Sequence, residues 1–208
     1  MLLIESSTHK DVYAIAECYM RCFPASLSTR LGKKYLAKSL SWFFSADNRF
    51  MIHIAENDRI IGFCGGHAAV KVGDGSSSGM LQYAFNEAVI SLLRKPLLLF
   101  HQEVRRYYPF IWKNILQKIL RRKYSSSGTS TFHPVVGLVV IGVDPNHQGK
   151  GLSKLLLKEF EKAAMRFKRN ELILSVRKNN AQAINAYKAS NWQISKEDKE
   201  NFIMQKHL

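Results

Sequence analysis

Two short stretches in the carboxy-terminal third carry residue types at spacings suited to holding a ligand. The first is Val143-Asp144-Pro145-Asn146-His147-Gln148-Gly149-Lys150-Gly151-Leu152-Ser153. Gly149 and Gly151 lack the Cβ that keeps backbone away from a bound group, and an amphipathic helix pattern starts directly after them. The first N–H groups of such a helix have no internal acceptor, and its macrodipole places positive potential there. The turn therefore suits phosphate oxygens, and Lys150 and Lys154 add charge. Walker spacing and the three-glycine dinucleotide fingerprint are both missing, and Gly-x-Gly alone also fits an ordinary helix-opening turn. The second stretch runs from Asn179 to Tyr187. Tyr187 falls two helical turns after Asn180, so these side chains share a face.

Positioning such residues requires strands and helices in regular alternation, and the sequence supplies them. Residues 135–143 form an apolar, strand-like run that leads into the Gly-containing turn 144–151. Leu152, Leu155, Leu156, Phe160, Ala163 and Phe167 then mark the inner face of a helix. Residues 172–176 read as a strand, 181–190 as a short helix, and 192–195 with 202–205 as a terminal hairpin. At the other end, Leu2–Ser6 reads as a strand. Thr8 and Asp11 have capping-box spacing, and a helical pattern follows to Phe23, where Pro24 stops it. A second helix is expected over 31–44. Residues 51–55 and 60–64 read as two strands joined by the turn 56–59, and Gly65-Gly66 suggests a bend or a close backbone approach. The fold class implied is a layered α/β (α+β) domain.

Residues 71–133 differ in character. Gly/Ser-rich brackets at 73–79 and 124–130 enclose a helical segment around 80–93, a proline-broken stretch and a second helix around 110–122. This span reads as an insertion into a single domain covering 1–208. It carries 10 of the 31 basic residues against 3 of the 16 acidic ones, within a net charge of +15. Tyr107 to Lys123 interleaves aromatic and basic side chains, and three readings stay open: a solvated basic helix, a lid carrying acceptor specificity, or a contact with an anionic membrane face. Nucleic acid is disfavoured, because no RNP or helix-turn-helix pattern appears. At 46% hydrophobic and 23% charged, the composition excludes wholesale disorder. No apolar run reaches the roughly 18 residues of a membrane span. The amino terminus lacks the layout of a secretory signal, and three cysteines argue against a disulfide framework, so a cytoplasmic location is expected.

The two motifs together resemble the GNAT superfamily of acyl-CoA-dependent N-acetyltransferases. That family pairs a strand ending Val-x-Pro with a Gln/Arg-x-x-Gly-x-Gly/Ala-like turn, followed by Asn-x-x-Ala-x-x-x-Tyr-x-x-x-Gly-Phe. Here the corresponding residues are Val143-Asp144-Pro145, Gln148 to Ser153, Asn180, Ala183, Tyr187 and Asn191-Trp192. The likeness is firm over about 135–192, extends plausibly to 1–70 and has no counterpart at 71–133. Asn191-Trp192 replaces Gly-Phe, but Asn tolerates the same left-handed conformation, so a helix stop survives.

The resemblance implies a GNAT fold with a mixed, mostly antiparallel sheet flanked by helices, acetyl-CoA as co-substrate, no metal, and a primary amine as acceptor. It assigns pantetheine contacts to Ile141, Gly142, Val143 and Asn180. Pyrophosphate contacts fall to Gln148, Gly149, Lys150, Gly151, Leu152, Ser153 and Lys154. A strand N–H near Val143 would stabilise the oxyanion, and Tyr187 would protonate the departing thiolate; a thiol of pKa about 8.5 can take a proton from a close tyrosine at about 10. Serine at 175 stands where relatives that acetylate protein amino termini place a glutamate base, which disfavours that subclass. A small-molecule acceptor such as an amino sugar is favoured, with anionic character suited to the basic insertion. For the base that deprotonates the amine, His67, His101, His133, Glu87 and Glu103 stay open. Cys64 lies in an apolar strand without an adjacent His, and Cys18 and Cys22 read as core. The alternative to an enzyme is a basic nucleic-acid- or membrane-surface-binding protein on the same scaffold.

Overall fold

The computed structural model describes residues 2–69, 76–100 and 134–208. The predicted helix at 110–122 lies outside those residues. Strand β1 (Leu2–Ser6) is followed by the Thr8–Asp11 capping box. Asp11 Oδ2 accepts from the Thr8 N–H (2.7 Å) and from the Thr8 hydroxyl (2.9 Å). This box closes a single 3-10 turn that runs directly into α1 (Val12–Cys22). Phe23, just before Pro24, ends the helix by donating its N–H to the Tyr19 carbonyl.

The single helix expected over 31–44 is instead three pieces: α2 (Leu27–Leu31), α3 (Lys33–Leu40) and a 3-10 turn, Ser41–Phe44. Two local causes account for this. Ser26 Oγ accepts from the Thr29 N–H (3.2 Å) and starts α2 early, while Gly32 at φ +104° breaks the helical path. Strands β2 (Arg49–Glu56) and β3 (Arg59–Ala68) form the expected hairpin. Asn57 and Asp58 take φ values of 48° and 61°, the two left-handed positions of a tight hairpin turn. β3 continues through Gly65 and Gly66, where its register against β4 shifts by one residue. Their missing side chains make room for aromatic rings: a Cβ on Gly65 would lie 2.7 Å from Phe43, and one on Gly66 would overlap Phe50 and stand 2.8 Å from Phe160.

The segment predicted as one helix at 80–93 is also divided, into α4 (Ser76–Tyr83) and α5 (Phe85–Arg94), with a 3-10 turn at Pro96–Phe100. Ala84 sits between the helices outside helical geometry. The carboxy-terminal elements follow the sequence pattern closely: β4 (Val136–Val143), α6 (Leu152–Met165), β5 (Glu171–Arg177), α7 (Ala181–Lys188), β6 (Gln193–Glu197) and β7 (Asn201–His207). Asn191 adopts φ +65° after α7, as the left-handed stop requires.

The seven strands form one sheet in the order β1-β2-β3-β4-β5-β7-β6. Each neighbouring pair is antiparallel except β4 and β5. Alternate residues feed opposite faces, with the phase reset at Ile61 where the β2–β3 register shifts between Ile54 and Ala55. Ile52, Ile61 and Cys64 join the core under α6 and α7 with Leu156, Phe160 and Trp192, whereas Met51, Ile60 and Phe63 join the core under α1 and α3. β3 and β4 are direct neighbours, so the long connection between them leaves and re-enters the sheet at adjacent strands. No helix among the described residues is long and apolar enough to cross a membrane.

Candidate active site

The parallel ladder between β4 and β5 covers only Val136–Leu138 against Leu172–Leu174, whereas β4 stays paired with β3 as far as Val143. Beyond Leu138 the two strands part. A cleft of about 280 Å³ opens there, with Ile141, Gly142 and Val143 on one wall and Ala183, Ala186 and Tyr187 of α7 among its other lining residues. The Asp144 N–H donates to the Ile61 carbonyl (2.8 Å), so strand alternation turns the Val143 and Ile141 peptide groups away from β3 and toward this cleft. Gln148 Nε2 donates to the Val143 carbonyl (3.2 Å) from the cleft side, and Gln182 Nε2 donates in turn to Gln148 Oε1 (3.1 Å).

At the end of β4 the chain makes a 3-10 turn, Pro145–His147, capped by Asp144 Oδ1 accepting from the Asn146 N–H (3.1 Å). Asp144 is only 1% exposed. Its carboxylate accepts from Arg21 Nε at 2.6 Å and lies 3.6 Å from Arg59. Burial pushes this carboxyl up. The Arg21 bond, the Asn146 N–H and the two guanidinium charges outweigh that effect and hold it below the usual carboxylate range. Arg21 also donates to the Ile60 carbonyl (2.7 Å), so one guanidinium ties α1 to both the hairpin and the turn.

Gly149 and Gly151 both adopt φ +77°, and no heavy atom stands within 4 Å of where a Cβ would be. α6 begins at Leu152 with no side-chain cap. Its first backbone bond runs from the Leu155 N–H to the Gly151 carbonyl (3.1 Å), so the amides of Leu152, Ser153 and Lys154 precede the internal ladder. Gly149, Gly151, Leu152 and Ser153 line the cleft. Lys150 and Lys154 are exposed and stand outside the lining.

Asn180 caps α7. Its Oδ1 accepts from the Ala183 N–H (3.1 Å), and its amide nitrogen is the side chain's donor group. Asn180 and Tyr187 both line the cleft, as their shared helical face requires. Tyr187 is 8% exposed, and burial, with a smaller effect from Cys64, pushes its hydroxyl up to about 12. The tyrosine is thus a proton donor that stays protonated throughout the neutral range.

The candidate bases within the described residues stay away from the cleft. His67 is buried in β3 with its ring 5.3 Å from that of Trp42, and Glu87 lies on α5. His101, His133 and Glu103 are outside the described residues. Cys64 is fully enclosed, its sulfur facing the Leu156 carbonyl (3.6 Å), and burial pushes the thiol up, so it is inert. Cys18 is core as expected, and Cys22 packs half-buried against that core while also lining the cleft beside Phe23. Its sulfur lies 4.0 Å from that of Cys18, and this shared hydrogen bond together with burial pushes the Cys22 thiol up. His147 also lines the cleft, with Nε2 3.1 Å from Glu56 and Nδ1 3.7 Å from Asp144. Sequence reasoning passed over it although it stands inside the turn motif, between Pro145 and Gly149.

Comparison with known proteins bears directly on this arrangement. Residues 105–192 match the family model described as the acetyltransferase (GNAT) family. No curated protein sequence matches the chain. Among solved structures, PaiA N-acetyltransferase of Thermoplasma acidophilum, in complex with coenzyme A, superimposes with a TM-score of 0.59 at 13% identity, covering 100% of this chain and 99% of that one. The ribosomal-protein-S18-alanine N-acetyltransferase of Escherichia coli gives 0.55 at 16% identity over 99% and 92% of the two chains. An aminoglycoside 6′-N-acetyltransferase of Acinetobacter haemolyticus gives 0.56 at 10% identity over 94% of each. At these identities the likeness is one of fold. The sequence match spans the glycine turn and the Asn180–Tyr187 helix, and together with the shared fold it supports a GNAT-type acetyltransferase domain.

Proposed function

We propose that this protein is an acetyl-CoA-dependent N-acetyltransferase that passes the acetyl group to a primary amine by direct attack in a ternary complex. One observation carries the proposal: a single cleft gathers the β4 edge, the two open left-handed glycines, the uncapped start of α6, Asn180 and Tyr187. The cradle fits a diphosphate, since amide donors and a positive helix end face space that a Cβ would otherwise fill. The bound co-substrate supplies an acetyl thioester. Around it, the amides following Gln148 would hold phosphate oxygens. The peptide groups of Ile141 and Val143 would pair with the extended arm as an added strand would, and Asn180 would donate to it from its amide nitrogen. A strand N–H near Val143 would stabilise the oxyanion, and the Tyr187 hydroxyl would supply the proton for the departing thiolate.

A small-molecule amine such as an amino sugar is the favoured acceptor. Ser175 on β5 offers no carboxylate to serve as the base expected of an enzyme for protein amino termini. We further read residues 71–133 as a helical insertion between β3 and β4 of one domain, and the protein as cytoplasmic. Incubation with acetyl-CoA and a panel of amines, following thiol release, tests the activity. Coenzyme A at a hundredfold excess over its Kd should stabilise the fold by about 2.7 kcal/mol. No thermal shift at saturation would overturn the assignment.

A further inference from the structure

α5 presents two faces to different surroundings. Ala88, with Ala84 just ahead of the helix, is buried against Leu31 of α2 and Tyr35 of α3. On the outer side Ile90 and Leu93 stand three residues apart, which brings them together on the helix surface. Leu97 and Phe100 repeat that spacing within the following 3-10 turn, where such positions eclipse. Leu93 is 77% exposed, Leu97 83% and Phe100 80%. Four large apolar side chains thus make an outward crest beside the fold.

Cations frame this crest. Arg94 and Lys95 lie within its span, and Lys95 Nζ donates to the Arg30 carbonyl (2.8 Å). Lys34 and Lys38 are exposed on the adjoining α3, and Lys38 Nζ sits 4.7 Å from the centre of the Tyr83 ring. Lys33 is ion-paired with Glu17 of α1; across segments 27–40 and 76–100, Glu87 is the one carboxylate set against Arg30, Lys34, Lys38, Arg94 and Lys95. A polyanion such as nucleic acid would engage the cations but leave the crest in water. A surface that presents anionic headgroups above hydrocarbon satisfies both.

We propose that the crest of α5 and the 3-10 turn after it, with its cationic rim, docks this protein on an anionic lipid bilayer. The test uses the full chain with two sets of vesicles, phosphatidylcholine alone and phosphatidylcholine mixed with phosphatidylglycerol, at physiological and at high salt. The expected result is co-sedimentation with the mixed vesicles only, weakened by salt. Leu93→Glu with Leu97→Glu should reduce binding at least about tenfold while leaving the coenzyme A thermal shift unchanged. Should that pair fail to fold, Lys34→Glu with Arg94→Glu gives the same readout from the rim. Absence of binding to the mixed vesicles, or equal binding to neutral ones, overturns the proposal. So would three other occupants of the crest. One is a dimer that the leucine pair dissolves. Another is the chain's own residues 101–133, revealed when the leucine pair lowers the melting temperature of a protein that ignores vesicles. The third is a DNA gel shift, indifferent to the leucines, in a protein that ignores vesicles.

Discussion

Asp144→Asn isolates the device that fixes the glycine turn to the body of the fold. Asn keeps the side-chain oxygen that accepts the Asn146 N–H, so the turn itself can still form. What disappears is the negative charge facing Arg21 at 2.6 Å and Arg59 at 3.6 Å. Arg59 is more than half exposed, so solvent screens its share to a few tenths of a kcal/mol. The Arg21 bond meets a carboxylate that is 1% exposed, and a charge-assisted hydrogen bond in that setting contributes about 1.5–3 kcal/mol. Asp144→Asn should therefore cost about 2–3 kcal/mol at pH 7, and for a chain of this size lower Tm by about 4–12 °C. The pH dependence carries the sharper discrimination. A carboxyl held below its ordinary value stabilises the native state fully above that value, about 3.9, and loses the contribution as pH falls through the native one. The gap in Tm between the two proteins should consequently close on acidification below about pH 4. Melting curves of both proteins across pH 3 to 7 make the measurement. A gap that persists undiminished at the acid end, or that is absent at neutrality, would refute the ion-pair account.

Three further perturbations probe the cleft. Tyr187→Phe should lower kcat by about a hundredfold or more with coenzyme A affinity nearly unchanged, and because the hydroxyl sits at about 12, the tyrosine should impose no loss of rate between pH 7 and 10. Equal losses in turnover and affinity would make it a structural residue. Gly149→Ala places a Cβ in open space at φ +77°, so calorimetry should show a stability loss of only about 1–2 kcal/mol, whereas coenzyme A affinity should fall at least about tenfold. An unchanged affinity would put the diphosphate elsewhere. Ala186→Leu should fill the cleft beside Tyr187 and abolish coenzyme A binding in a protein whose melting temperature is little altered; retained binding would mean that this wall is not used.

How much of this could be read from the sequence follows from how local each cause is. The glycine turn, the start of α6 and the Asn180–Tyr187 face are set by residues a few positions apart, and each stands where its spacing places it. The left-handed stop at Asn191 and the Thr8–Asp11 box are local in the same sense. The division of 31–44 was local too, written in Ser26 and Gly32, but apolar periodicity concealed it. Other features were beyond any spacing argument. Cys22 and Phe23 enter the cleft wall because Arg21, their neighbour, reaches 123 residues along the chain to Asp144. Sequence position put Lys150 within the turn and Lys154 just after it, yet both side chains are exposed and stand outside the lining.

That last contrast explains why the cleft is built around a strand edge. Past Leu138, β4 keeps its ladder to β3 while the one to β5 has ended, so the peptide groups of Ile141 and Val143 face the gap. Buried backbone polar groups demand partners, and within the protein Gln148 supplies one to the Val143 carbonyl. α7 presents Ala183 and Ala186 to the same space, side chains too small to close it. An extended ligand carrying amide groups can meet both conditions at once, completing the interrupted sheet and filling the volume those alanines leave. Water can satisfy the hydrogen bonds but contributes no apolar burial against Leu157 and Tyr187, which also line the cleft. Under the proposed function, selectivity for an extended, amide-bearing arm would be a property of where the β4–β5 ladder stops. Extending that ladder as far as Ile141–Val143 would close the edge that the cleft exposes.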